Sequence, residues 1–169
     1  MKKLKHLIMG GILAAMTCAS ASASSLKVGQ ALPEFSARTL DGRSINSADL
    51  AGKVTIVHFW ATWCSACREE MPALEALYEA HHKDGLEIIA ISIEDEDDKT
   101  KVLDYSRNFS FPVALKSTSR VNGFGKIWAL PASFFIDRKG ILRQGDRTGV
   151  QKMDASSLET LIGPMLREN

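Results

Sequence analysis

Residues 54–71 read VTIVHFWATWCSACREEM, and this stretch decides the fold. Val54, Ile56, Val57, Phe59 and Trp60 form an apolar run of the length and composition of a buried strand. Immediately beyond it, Met71, Leu74, Leu77 and Tyr78 recur at the spacing of one helical face. Between the two lie Cys64 and Cys67, three residues apart at the start of the helix. Unpaired backbone N–H groups and the positive end of the macrodipole there favour a thiolate. A disulfide between them closes a tiny loop and constrains little of the unfolded chain, so the pair is suited to exchange rather than to stabilisation. Cys64 is the candidate nucleophile, and redox chemistry is the leading expectation.

Working outward, Lys83-Asp84-Gly85 ends a helix predicted over Ala66–His82, and Leu86–Ile93 is an apolar run buried on both faces. Strand, helix and strand in this order demand a right-handed crossover and a parallel pair. Upstream, Asp41-Gly42 is a hairpin turn between Phe35–Leu40 and Arg43–Ile45. Downstream, the pattern predicts a helix over Lys99–Asn108, a short strand at Val113–Leu115 and a helix or turn around Arg120–Ile127. A hairpin follows, with Ser133–Ile136 and Ile141–Arg143 joined by the turn from Asp137 to Gly140. A last helix begins at Asp154 and aligns Leu158, Leu161, Ile162, Met165 and Leu166, with Pro164 expected to bend or fray its end.

Residues 1–23 have the layout of a signal peptide: basic Lys2, Lys3 and Lys5, an apolar core from Leu7 to Met16, and small residues up to Ala23. An uncleaved N-terminal membrane anchor is the alternative. Cleavage leaves residues 24–169 as one domain. Of three cysteines, Cys18 leaves with the leader, and 18 basic face 20 acidic residues in the remainder. That balance, without a basic stripe carrying interleaved aromatics, excludes a nucleic-acid surface. Neither a second CxxC nor a spaced histidine pair is present to complete a zinc site, and no metal or other cofactor is expected.

The residues Phe59-Trp60-Ala61-Thr62-Trp63-Cys64, Cys67, Glu70, Met71-Pro72, Leu130-Pro131 and the hairpin of 133–143 resemble a thioredoxin-fold protein of the exported TlpA/ResA-like branch. The likeness runs from about Leu26 to Arg167, and Lys99–Ser117 resembles the helix-and-strand insertion of that branch. The resemblance implies an α/β thioredoxin-like fold: a mixed β-sheet flanked by helices, with an N-terminal β-hairpin extension and a central insertion. It implies a periplasmic or otherwise exported thiol–disulfide oxidoreductase that reduces disulfides in exported proteins, apocytochrome c among them. Its electrons would come from a membrane thiol-transfer protein of the DsbD/CcdA kind. The alternatives are a disulfide oxidase or isomerase, a peroxiredoxin-type peroxidase, and a non-catalytic binding module or holdase.

By the same resemblance Cys64 is the exposed attacking thiolate and Cys67 the shielded resolving thiol. Glu70 exchanges a proton with Cys67, or is an exposed helix-start glutamate. His58 is a proton carrier beneath the disulfide, or a neutral core histidine. Trp63 forms an apolar rim for the client, and the backbone at Leu130 before a cis Pro131 pairs with it. Trp60 is expected in the core, and Trp128 either in the client groove or in packing. His81-His82 and the acidic run Glu94–Asp98 are expected to be solvated. The chain departs from the pattern at Ala66, where a proline is usual, at His58, where thioredoxin has a buried aspartate, and at Leu130, where small or β-branched residues are frequent.

Overall fold

The computed structural model describes residues 26–145 and 153–168. The expected signal peptide lies outside them. A seven-stranded mixed sheet is built from β1 (Ser36–Thr39), β2 (Ser44–Asn46), β3 (Val54–Trp60), β4 (Leu86–Ser92), β5 (Val113–Arg120), β6 (Ala132–Ile136) and β7 (Leu142–Gln144), in the order β2-β1-β5-β4-β3-β6-β7. The helices are α1 (Ser65–His81), α2 (Lys99–Ser106) and α3 (Ala155–Arg167).

β3 and β4 are buried at every position because they lie centrally and are covered on both faces. They pair in parallel from Val54↔Leu86 to Trp60↔Ser92, with α1 as the crossover. Alternation along β3 divides the core. Val54, Ile56 and Trp60 pack with apolar residues of all three helices, among them Met71, Leu74, Val102, Leu158 and Ile162. Val57 and Phe59 pack on the opposite face with Phe35, Phe124 and Phe134. There the covering layer is the N-terminal segment and a 3-10 turn at Asn122–Phe124. Phe124 meets Phe35, Phe59 and Phe134 edge-on, at centroid distances of 5.6, 5.6 and 5.0 Å.

β6 runs antiparallel to β3 with Ala132 opposite Phe59. Leu130 and Pro131, immediately before it, therefore lie at the end of the sheet where the chain leaves Trp60 for Cys64. That register positions the site.

Two expectations need correction. β5 extends well past Leu115, to Arg120. Its first three residues pair with β4, and Ala114, Ser119 and Arg120 pair with β1 across an irregularity, so pairing with β1 rather than an apolar pattern carries the strand past Leu115. α3 does not fray at Pro164. Buried Leu158, Ile162 and Met165 anchor it on both sides of the proline, and it continues to Arg167.

The far end of the sheet is tied by one side chain. Arg138 donates from Nη1 to the Gly52 carbonyl (2.9 Å) and from Nη2 to those of Asp84 (2.8 Å) and Leu166 (3.0 Å). Gly85, at φ +95°, takes a backbone conformation that favours glycine, and a Cβ there would stand 2.7 Å from Nη1 and displace the guanidinium. Arg138→Ala is expected to cost about 1–2 kcal/mol in urea denaturation, since it releases three backbone acceptors that water can partly satisfy, and to leave thiol chemistry unchanged.

Candidate active site

Cys64 is the N-cap of α1, and its Sγ accepts the Cys67 backbone N–H at 3.1 Å. The two sulfurs are bonded, 2.11 Å apart. Cys67 is fully buried, whereas Cys64 retains 8% exposure. Cys64 is thus the less buried of the two, but in the disulfide it is far less open than expected. Trp63 beside it is 62% exposed. Trp60, as expected, is core and packs against Tyr105 of α2 at 5.5 Å.

Glu70 follows Cys67 by one helical turn and is buried, which overturns the exposed-glutamate alternative. Its Oε1 accepts the Met153 N–H at 3.3 Å, and its Oε2 has no hydrogen-bond partner among the described residues. Burial pushes the carboxyl up to about 7, against the opposing effect of the Met153 bond.

His58 is fully buried on β3 opposite Ser133 of β6, with Nδ1 2.8 Å from the Ser133 hydroxyl oxygen. Its Nε2 has no partner among the described residues. Burial lowers this imidazole to about 4, so it is neutral at physiological pH. By strand alternation it lies on the face that packs against α1, as Ile56 and Trp60 do.

The Leu130–Pro131 peptide is cis, and half-buried Leu130 packs against both core clusters. Trp128 is 77% exposed, with the Lys126 ammonium 3.8 Å from its ring centroid, so it belongs to the surface rather than to packing.

Sequence reading missed three partners of the site: Ser133, Met153 and Glu94. Glu94 was expected in a solvated acidic run, yet it is buried while residues 95–98 are exposed. His81, also expected in solvent, is half-buried and bridges α1 to α3 through Glu159 at 2.8 Å. None of these contacts leaves a local signal, because each joins segments distant in sequence. Among the described residues no group of three or more His, Cys, Asp or Glu is placed to hold a metal ion.

A disulfide bridging the first turn of a helix that follows a central parallel strand is the arrangement of thiol-exchange proteins. Comparison with known proteins agrees: residues 28–145 match the AhpC/TSA family. The chain belongs to that family. It is 34% identical over 120 residues to the thiol-disulfide oxidoreductase ResA of Bacillus thuringiensis, covering 71% of this chain and 69% of the relative. It is 31% identical over 121 residues to the thioredoxin-like protein YneN of Bacillus subtilis, covering 70% of each. A thiol:disulfide interchange protein of the thioredoxin family from Chlorobium tepidum superposes with a TM-score of 0.70 at 26% identity, over 82% of this chain and 97% of that one. This AhpC/TSA member is a ResA-like thiol–disulfide oxidoreductase on a thioredoxin fold.

Proposed function

We propose that the protein is exported and works as a reductant of disulfides in other exported proteins, including apocytochrome c. The observation that carries this reading is the bonded Cys64–Cys67 pair at the mouth of α1, with Cys64 as its less buried member. In the dithiol state the Cys64 thiolate attacks one client sulfur; the client S–S bond breaks, a mixed disulfide forms, and the released client thiolate takes up a proton. Cys67 then loses its proton and attacks Cys64 Sγ, which expels the second client sulfur as a thiol. The client gains two electrons and two protons, and the protein is left as the disulfide.

Glu70 suits the second step. It lies one turn from Cys67, is shielded from water, and has a free Oε2 with which to take the departing proton. His58, held neutral by burial and hydrogen-bonded through Nδ1 to Ser133, fits the core-histidine alternative better than a proton carrier, because a group titrating near 4 does not retain a proton released by a thiol. Exposed Trp63 offers the client an apolar rim, and the backbone at Leu130 before Pro131 supports an extended client segment by strand addition.

The disulfide returns to the dithiol by exchange with a second dithiol donor, for which we propose a membrane thiol-transfer protein of the DsbD/CcdA kind. Export rests on the signal-like residues 1–23, with cleavage after Ala23 or retention as an N-terminal anchor. Among the described residues no helix is long and apolar enough to cross a membrane.

The reduction potential of residues 24–169 tests the direction. A value close to thioredoxin's, about −270 mV, is the expected result, whereas one close to about −120 mV would make the protein a disulfide donor.

A further inference from the structure

We propose that Glu94 is a positioning residue for the exchange reaction, holding the loop that carries Cys64 in register with Cys67 through a clasp on Thr62. The inference rests on the exchange reading above and deepens it.

The loop from Ala61 to Cys64 joins the end of β3 to α1; Ala61 and Cys64 at its two ends pack in the core, while Thr62 and exposed Trp63 between them supply no apolar anchor. Glu94, two residues past the end of β4, reaches across to it. Glu94 Oε2 accepts the Thr62 backbone N–H at 2.8 Å and the Ser92 hydroxyl at 3.0 Å. Its Oε1 accepts the Thr62 hydroxyl at 2.5 Å. The Ser92 oxygen in turn accepts the Glu94 N–H at 3.1 Å. The carboxylate is 2% exposed, and Lys101 of α2 brings its ammonium to 3.6 Å. Both oxygens are thus committed, and two of the donors belong to one loop residue, two positions before Cys64. A backbone bond from Ile93 N–H to the Trp60 carbonyl, 3.0 Å, closes the same junction.

A buried carboxylate is costly unless its acceptors are filled, so this arrangement favours a single position of Thr62. Cys67 is carried by α1, but Cys64 is the last residue of the loop. How often the two sulfurs meet in the dithiol state therefore depends on how narrowly the loop is held. This is an effective-concentration argument: loosening the loop makes closure of the disulfide less favourable and slows attack of Cys67 on the mixed disulfide. Glu94 touches neither client nor sulfur and acts only through Thr62.

The experiment uses residues 24–169 with Glu94→Gln, Thr62→Val, Thr62→Ser and the Glu94→Gln/Thr62→Val double variant. The equilibrium between dithiol and disulfide is measured in glutathione buffers, with kcat and KM for insulin-disulfide reduction and the Tm of both redox states. Glu94→Gln and Thr62→Val are each expected to shift the equilibrium toward the dithiol by about fivefold and to lower kcat with little change in KM. Thr62→Ser, which keeps the hydroxyl, is expected to match wild type. The double variant should be no worse than the stronger single one, because both remove the same clasp.

A lowered Tm with equilibrium and kcat unchanged would make Glu94 merely structural and overturn the proposal, as would effects that multiply in the double variant. Should Glu94→Gln fail to fold, Thr62→Val against Thr62→Ser decides the matter alone. A wild-type pair that does not exchange with glutathione at all would instead overturn the underlying reading of the site.

Discussion

Cys67→Ser is expected to arrest the protein as a covalent adduct with its client, joined through Cys64. Attack by Cys64 needs only the cysteine at the helix mouth, a residue that keeps some exposure, whereas release of the client needs the fully buried cysteine one turn on. With serine at 67 the first bond exchange proceeds and the second has no thiol to carry it out. Turnover in insulin reduction should fall by at least about 1,000-fold, on the scale seen when a covalent catalytic group is removed. Intact-mass measurement should find the client's mass added on Cys64. Cys64→Ser should lose turnover equally yet form no adduct, because Cys67 has no path to a protein substrate. An adduct on Cys67 in that variant would reverse the two roles. Rapid oxidation of Cys64 by peroxide, retained in Cys67→Ser, would favour the peroxidase alternative.

What the sequence made legible was whatever is written locally. β3 shows as five apolar residues in seven, α1 as a stripe from Met71 to Tyr78, and the redox pair as two cysteines at their junction. The hairpins at Asp41-Gly42 and Asp137–Gly140 were legible for the same reason, since turn chemistry is a matter of adjacent residues. The placement of Pro131 at the site was available only through family resemblance, and the register of β6 against β3 that also brings Ser133 to His58 was not legible at all. Glu94 shows most clearly why local reading stops short. It heads five consecutive acids, and such a run suggests solvent. Only its neighbours Asp95 to Asp98 are exposed, because Glu94 alone is within reach of the donors on Thr62 and Ser92. Glu70 and Met153 are likewise far apart in the chain, and no pattern within α1 indicates that its second carboxylate is buried rather than wet.

Glu70 and His58 make opposing contributions to stability as pH changes, and removing either should expose the other. Burial holds His58 at about 4, below the ordinary value near 6.5, so between these limits the unfolded chain binds a proton that the folded chain refuses. Stability from this group is complete above about pH 6.5 and is lost as pH falls toward 4, by about 3 kcal/mol in all. Glu70 has the opposite sign. Its folded carboxyl stays protonated up to about 7 while the unfolded one ionises near 4.5, so its contribution is present at low pH and is lost as pH rises through that window. Across their overlap, roughly pH 4.5–6.5, one slope of about 1.4 kcal/mol per pH unit offsets the other. The oxidised wild-type protein should therefore be flat there with respect to these two groups. In urea denaturation of the disulfide form, stability of Glu70→Gln relative to wild type should rise with pH across this window, and that of His58→Asn should fall. Differences from wild type remove the exposed carboxylates common to all three chains. If both variants merely ran parallel to wild type, neither group would carry a shifted proton, and the proton route drawn from Cys67 through Glu70 would lose its physical basis.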